Sequence, residues 1–216
     1  MGTLKGGYKL KDGTRVPSVT TILHSWHPEG IEGLLGWANK LGREGKSHKE
    51  ERDSAAAAGT MAHEAAEAWA HGREFKFEGP EEVCAKAKIS YGAFLEWTNQ
   101  TQFKVTDTEL PLVSEKYRFA GTFDCMLMKG KRVLGDIKTS NSLQPTYLCQ
   151  IAAYGKLWEE NFPDKPIDGG YILLRFDRTY GDFSQKWWPG LDAAWRAFLH
   201  LRGLYDEAKE LRARIK

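Results

Sequence analysis

Cysteine is scarce in this chain, and its three residues, Cys84, Cys125 and Cys149, form no C-x-x-C pair. An odd set without that spacing argues against a disulfide framework and for a reducing interior, and it is too small for a self-contained four-thiolate cluster. Long apolar runs are missing as well, since no stretch approaches the roughly 18 to 20 residues that a membrane span needs. The opening Met1-Gly-Thr-Leu-Lys-Gly-Gly-Tyr8 has neither an apolar core nor an Arg-rich amphipathic pattern. Secretion and organelle import are therefore unsupported, and a cytoplasmic setting is expected. Charge of one sign is also lacking: 31 Lys and Arg against 29 Asp and Glu leave a formal charge of +2. That excludes a global basic field, so any nucleic-acid contact must be a local patch. No internal repeat or low-complexity linker interrupts the chain.

The 216 residues, 41% hydrophobic and 28% charged, have ordinary globular composition. A chain of this length buries about 70% of its unfolded surface, enough for one domain. Residues 7 to 22 read as a hairpin turning at Asp12-Gly13, followed by a helix started by Ser18 or Thr20. From Leu34 to His71 the composition is helical, but Gly36, Gly42, Gly45 and Gly59 suggest separate pieces, the firmest being Ser54 to Ala70. A second helix is expected from Pro80 to Thr98, where Val83, Ala87, Tyr91, Phe94 and Leu95 follow the 3.6 period. Strands are expected at 105–115, 119–128 and 132–138, then a helix at 142–160, a strand at 170–176, an edge strand at 183–188 and a terminal helix from Leu191 to Ile215.

The strongest chemical signal is Asp136-Ile-Lys138, because the preceding strand carries Asp124. If Lys129-Gly-Lys131 is the loop, Met128 opposes Arg132 and the same register sets Asp124 opposite Asp136, with Cβ atoms about 4.5 to 5.5 Å apart. Lys138, two residues on, shares the Asp136 face. Asp is depleted in strands, and two opposed carboxylates repel unless a cation or proton lies between them. Oxygen ligands of this kind suit Mg²⁺ or Mn²⁺, with Lys138 placed to orient or deprotonate a water or to stabilise developing charge. The alternative is a surface salt bridge between Lys138 and one aspartate.

His63 and Glu67 share a helix face. Here the plain reading is a solvated pair, and the zinc-peptidase pattern H-E-x-x-H fails because position 67 is Glu. Gln150 and Tyr154, one turn apart on a later helix, can grip a nucleotide backbone or base, or simply edge an amphipathic helix. Lys40, Arg43, Lys46, Lys49 and Arg52 are interspersed with Glu44, Glu50 and Glu51, which describes a solvated face. Arg175 and Arg178 are better placed for phosphate. Most of the eight tryptophans belong in the core, with one of Trp187 and Trp188 left as a stacking platform.

Taken in order, Gly59-Thr60-x-x-His63, Gly121-Thr-x-Asp124, Asp136-x-Lys138-Thr139 and Gln150-x-x-x-Tyr154 resemble the RecB-like branch of the PD-(D/E)XK nuclease superfamily over residues 55 to 176. Val16 to Leu23 also looks like the opening of small standalone phage or mitochondrial-type DNA exonucleases. The resemblance implies an α/β restriction-endonuclease-like core, a central mixed β-sheet flanked by helices, with an N-terminal helical extension. It divides the chain into an extension (1–53), a core (54–188) and a terminal helix (189–216) of one nuclease domain. It further implies His63, Asp124, Asp136 and the Ile137 carbonyl as ligands of Mg²⁺ or Mn²⁺, with Glu115 near the metal. Asp124, Asp136 and Lys138 would be catalytic, and Gln150, Tyr154, Thr139, Arg175 and Arg178 would contact DNA. The expected substrate is single-stranded DNA or duplex ends, cleaved to 5′-phosphate and 3′-hydroxyl in replication, recombination or repair. A helicase or recombinase partner and a bacterial or phage-infected cytosol fit that role, while membrane and iron-sulfur cluster do not. The alternatives are a non-cleaving DNA-binding or assembly module and, remotely, a zinc peptidase.

Overall fold

A computed structural model of the chain describes residues 7–24, 26, 30–140 and 142–215. Parts of the expected N-terminal unit, residues 1–6, 25 and 27–29, lie outside the described residues, as do 141 and 216. The elements are β1 (Tyr8–Lys9), β2 (Arg15–Val16), α1 (Val19–Leu23), α2 (Gly30–Arg43), α3 (His48–Ala70), α4 (Glu81–Thr101), β3 (Lys104–Ser114), β4 (Phe119–Lys129), β5 (Lys131–Lys138), α5 (Pro145–Asn161), β6 (Gly170–Phe176), β7 (Phe183–Trp188) and α6 (Asp192–Arg214). Ser18 starts α1 by accepting the Thr21 N–H at 3.1 Å, and Ser47 starts α3 by accepting that of Glu50 at 3.3 Å. Each side chain satisfies a donor that the first helical turn leaves free.

The expected break at Gly59 does not occur, and α3 runs through it unbroken. A Cβ built on Gly59 would lie 2.8 Å from Thr139 Oγ1, so the glycine lets α3 approach the end of β5 rather than ending a helix. The actual break between α2 and α3 falls at Gly45, whose φ of +72° suits a residue without a side chain.

The main sheet has five strands in the order β3-β4-β5-β6-β7. All neighbours are antiparallel except β5 and β6, which run parallel and are joined through α5. Helices cover both faces. Val19, Ile22, Phe119, Phe123, Leu134, Ile151, Leu157 and Phe198 join α1, α5 and α6 to one face. Ala66, Phe94, Trp97, Leu127, Val133, Ile172 and Leu174 join α3 and α4 to the other. This is a restriction-endonuclease-like α/β architecture, a mixed sheet flanked by helices with a helical N-terminal region. Burial on both faces is why β4 to β6 read as nearly continuous apolar runs.

Side-chain alternation reverses at one step. In a regular strand residues i and i+2 share a face. Phe119, Gly121 and Phe123 face α5 and α1, yet Cys125 and Leu127 face α4. On β3 the matching irregularity is a register shift between Val105 and Asp107, followed by Glu109 with a left-handed φ of 47°. The Glu109 and Asp124 side chains sit at this irregularity.

Candidate metal centre

The β4–β5 register is Met128↔Arg132, Leu127↔Val133, Met126↔Leu134 and Cys125↔Gly135, so the next step brings Asp124 alongside Asp136. At that step the carboxylate of Asp124 enters the ladder. Its Oδ2 accepts the Ile137 N–H at 2.7 Å, while its Oδ1 is buried with no hydrogen-bond partner among the described residues. Asp136 is fully buried, and neither of its oxygens has a hydrogen-bond partner there. Its compensation is an ionic contact with Lys138 Nζ, 2.6 Å from Oδ2. The alternative of a surface salt bridge is therefore excluded, since Asp136 is 0% exposed. Unpartnered buried carboxylate oxygens are costly unless a cation completes them.

His63 reaches the same point from α3, with Nδ1 3.9 Å from Asp124 Oδ2 and 3.9 Å from Glu109 Oε1. One ligand atom each from His63, Glu109 and Asp124 lie within 4.8 Å of one another. They line a cavity of about 10 Å³, comparable to the roughly 10 to 15 Å³ that one water occupies. Two carboxylates and an imidazole make an oxygen-rich donor set able to hold a small divalent cation, and the unpartnered oxygen of Asp124 supports the fit. Asp136 stands outside that trio, facing Lys138.

Glu109 was not singled out by sequence, and Glu115 was. Pairs Thr108↔Cys125 and Leu110↔Phe123 set Glu109 across from Asp124. Glu115 instead begins the turn joining β3 to β4, six residues away or about 20 Å along a strand. Its Oε1 accepts the Lys11 N–H at 2.9 Å. Applying the register argument to the β3–β4 hairpin as well would have identified Glu109.

Burial raises the Asp136 pKa to about 7, against the opposing pull of Lys138 and helped by repulsion from Asp124. Burial likewise raises Asp124, although His63 and Lys138 oppose it. For His63, burial disfavours the charged form, but the Asp124 charge and a Glu109 hydrogen bond outweigh it and raise the pKa. All three shifts are upward, so the folded state holds these protons more tightly than the unfolded chain. The stability they contribute is complete near pH 4 and is lost as pH rises through about 7, the Asp136 value. In chelator, thermal unfolding should therefore move to lower temperature between pH 5 and 8. A divalent cation competing for the same oxygens should restore more stability at pH 8 than at pH 5.

Above this centre lies a cleft of about 280 Å³ whose lining includes Gly59, His63, Lys138, Thr139, Tyr147 and Arg178. Arg178 donates to the Thr139 carbonyl at 2.8 Å and still borders the cleft. Arg175 is not available for phosphate, because it is held by Asp177 at 3.3 Å, Asp182 at 3.1 Å and the Ser184 hydroxyl. Gln150 Nε2 donates to Tyr154 Oη at 2.9 Å. Tyr154 faces Gly121, where an added Cβ would sit 2.7 Å from its ring and 3.1 Å from Val19. Gly121→Ala should thus cost about 1 to 3 kcal/mol, read as a lower denaturant midpoint with an unchanged slope.

Other sequence readings sort simply. Glu67 pairs with Arg73 at 3.1 Å, and Lys40, Lys46 and Arg52 pair with neighbouring acids on an exposed surface. Trp97 and Trp158 are fully buried, whereas Trp187 is 55% exposed with its indole N–H on the Gly169 carbonyl. It lies opposite Ile172, toward the end of β6 away from Lys138. Among the described residues no helix is long and apolar enough to cross a membrane.

No protein-family model matches the chain, and no curated protein does. Among solved structures, an alkaline exonuclease from Laribacter hongkongensis is similar at 14% identity and a TM-score of 0.34, over 60% of this chain and 73% of that one. The same exonuclease in complex with dAMP gives 14% and 0.33, over 73% and 85%. The structure titled SSO0001 gives 16% and 0.36, over 56% of this chain and 58% of its own. TM-scores this low give these likenesses no bearing on function.

Proposed function

We propose that this chain is a Mg²⁺- or Mn²⁺-dependent deoxyribonuclease that degrades DNA from its ends, as one nuclease unit formed by residues 1–53, 54–188 and 189–216 together. The observation that supports this reading is the meeting of His63, Glu109 and Asp124 with the buried Asp136–Lys138 pair beneath an open cleft. His63, Glu109 and Asp124 would hold the cation, with Asp136 and the Ile137 carbonyl as further oxygen donors beside it. A bound Mg²⁺ or Mn²⁺ would polarise the scissile phosphate and ease deprotonation of water. Lys138, whose ammonium is kept charged by Asp136 and Asp124 despite its burial, would hold an attacking water or the developing negative charge. Arg178 and Thr139 border the cleft where the phosphate backbone would lie, and Gln150 with Tyr154, joined by a hydrogen bond, would position the DNA. Hydrolysis at this centre would leave a 5′-phosphate and a 3′-hydroxyl. Action in recombination or repair, alongside a helicase or recombinase, belongs to the same proposal.

Labelled linear and circular DNA, single- and double-stranded, incubated side by side with Mg²⁺ or Mn²⁺ test the reading. Loss of linear DNA with circles intact is expected. Cleavage of circles would make the enzyme an endonuclease. Wild-type protein inactive with either metal would favour a non-cleaving DNA-binding or assembly module. Zinc retained through chelation and Mg²⁺ exchange would reopen peptidase chemistry.

A further inference from the structure

A second cleft of about 280 Å³ opens beside the first, and Tyr147 lines both. Its other walls are Leu23 and His24 at the end of α1, Trp26 just beyond, and Thr146 and Gln150 from α5. The chemistry of the two clefts differs. Lys138 and Arg178 give the first two full positive charges suited to phosphate. Among the described residues the second is lined by no lysine, arginine or carboxylate. It offers instead an indole, a phenol ring, an imidazole, hydroxyls and a carboxamide. Such walls suit an uncharged, flat ring with a polar edge, and the volume is near the lower end of ligand pockets, roughly 300 to 1,000 Å³.

Resting on the nuclease reading, we propose that this cleft receives one unpaired nucleobase of the substrate, so that the enzyme engages DNA whose strand is single at the site of cleavage. The shared wall makes the link physical. The Tyr147 ring lies under Lys138 Nζ, 5.0 Å from its centroid, and its hydroxyl is 3.4 Å from Ser140 Oγ. A nucleotide with its phosphate at Lys138 therefore has its base near the Tyr147 ring, which also lines the second cleft. Trp26 is half-buried against the core, which holds its indole as a fixed stacking surface. Gln150 uses one N–H on Tyr154 and keeps the rest of its carboxamide for the edge of the base. A paired base has its edge occupied and its faces stacked, so a duplex would have to open to use the cleft.

Binding of a labelled single-stranded oligonucleotide, with Ca²⁺ replacing Mg²⁺, is compared across a series in which one nucleotide at a time is abasic. The expected result is one position whose abasic form weakens wild-type binding about tenfold, as loss of one stacked base should. In Trp26→Ala that position should lose its discrimination, and Trp26→Phe should regain most of it. The abasic series needs only wild-type protein, so a folding defect in Trp26→Ala leaves the test intact. Equal binding at every abasic position, with DNA cleavage intact, overturns the base cleft alone. Failure to bind or cleave DNA at all overturns the nuclease reading and the cleft with it.

Discussion

Replacing Asp124 with Asn should lower metal-dependent DNA cleavage by roughly 10³-fold or more, the largest effect expected of any single change here. This carboxylate is used twice. Oδ2 closes the gap in the sheet by accepting the Ile137 N–H, and the same carboxylate supplies the charge facing His63, whose Nδ1 is 3.9 Å from Oδ2, while Oδ1 is buried without a partner among the described residues. Asn can keep the first role through its carbonyl oxygen, but it removes the negative charge from the second. The variant should therefore fold, with far-UV circular dichroism like the wild type, while its stabilisation by Mn²⁺ falls along with turnover. Asp124→Ala should lose stability as well, since the buried Ile137 N–H would then be unpaired. Full activity in Asp124→Asn would remove this carboxylate from the chemistry.

Glu109→Gln should lower turnover by roughly 10- to 100-fold through weaker metal affinity, while Glu115→Gln should leave it unchanged. Single-strand DNA hydrolysis titrated with Mn²⁺ separates the two, because the Glu109 variant should recover partly at higher metal concentration. The contrast rests on register. Glu109 lies across from Asp124 and 3.9 Å from His63, whereas Glu115 sits at the β3–β4 turn and holds the Lys11 amide. Equal loss in both variants would mean that charge near the sheet matters more than the position of either carboxylate.

The β4–β5 hairpin was legible because its two apolar runs flank a single short turn signal, which determines every pair up to Asp124 and Asp136. The order of strands and helices was legible for the same reason, with periodicity changing cleanly at each turn. Glu109 was hidden because its significance comes only from pairing across the β3–β4 hairpin, where the pairs Thr108↔Cys125 and Leu110↔Phe123 set it opposite Asp124, and nothing in its own neighbours along the chain marks it. Gly59 misled in the opposite sense, since local propensity marks a break whereas the cause of the glycine is Thr139, 80 positions away in the sequence. Arg175 looked free because the acids that neutralise it, Asp177 and Asp182, flank a turn whose geometry brings them back to the strand. The burial of Asp136, and with it most of Lys138, was not readable from two residues of opposite charge two positions apart; it follows from the helices packed on both faces.

The irregularity at Glu109 also bears on the exposed edge of the sheet. β3 is an edge of the sheet, eleven residues long, and a regular edge of that length would offer a row of free amides and carbonyls to a strand from another molecule. A register shift between Val105 and Asp107, the left-handed Glu109 and the proline at 111 fall in quick succession along it. Each interrupts the template for strand addition, by bulge, by kink or by a missing donor. The bend that aims a carboxylate into the centre thus also blunts the open edge, and straightening it would invite aggregation as well as dismantle the site.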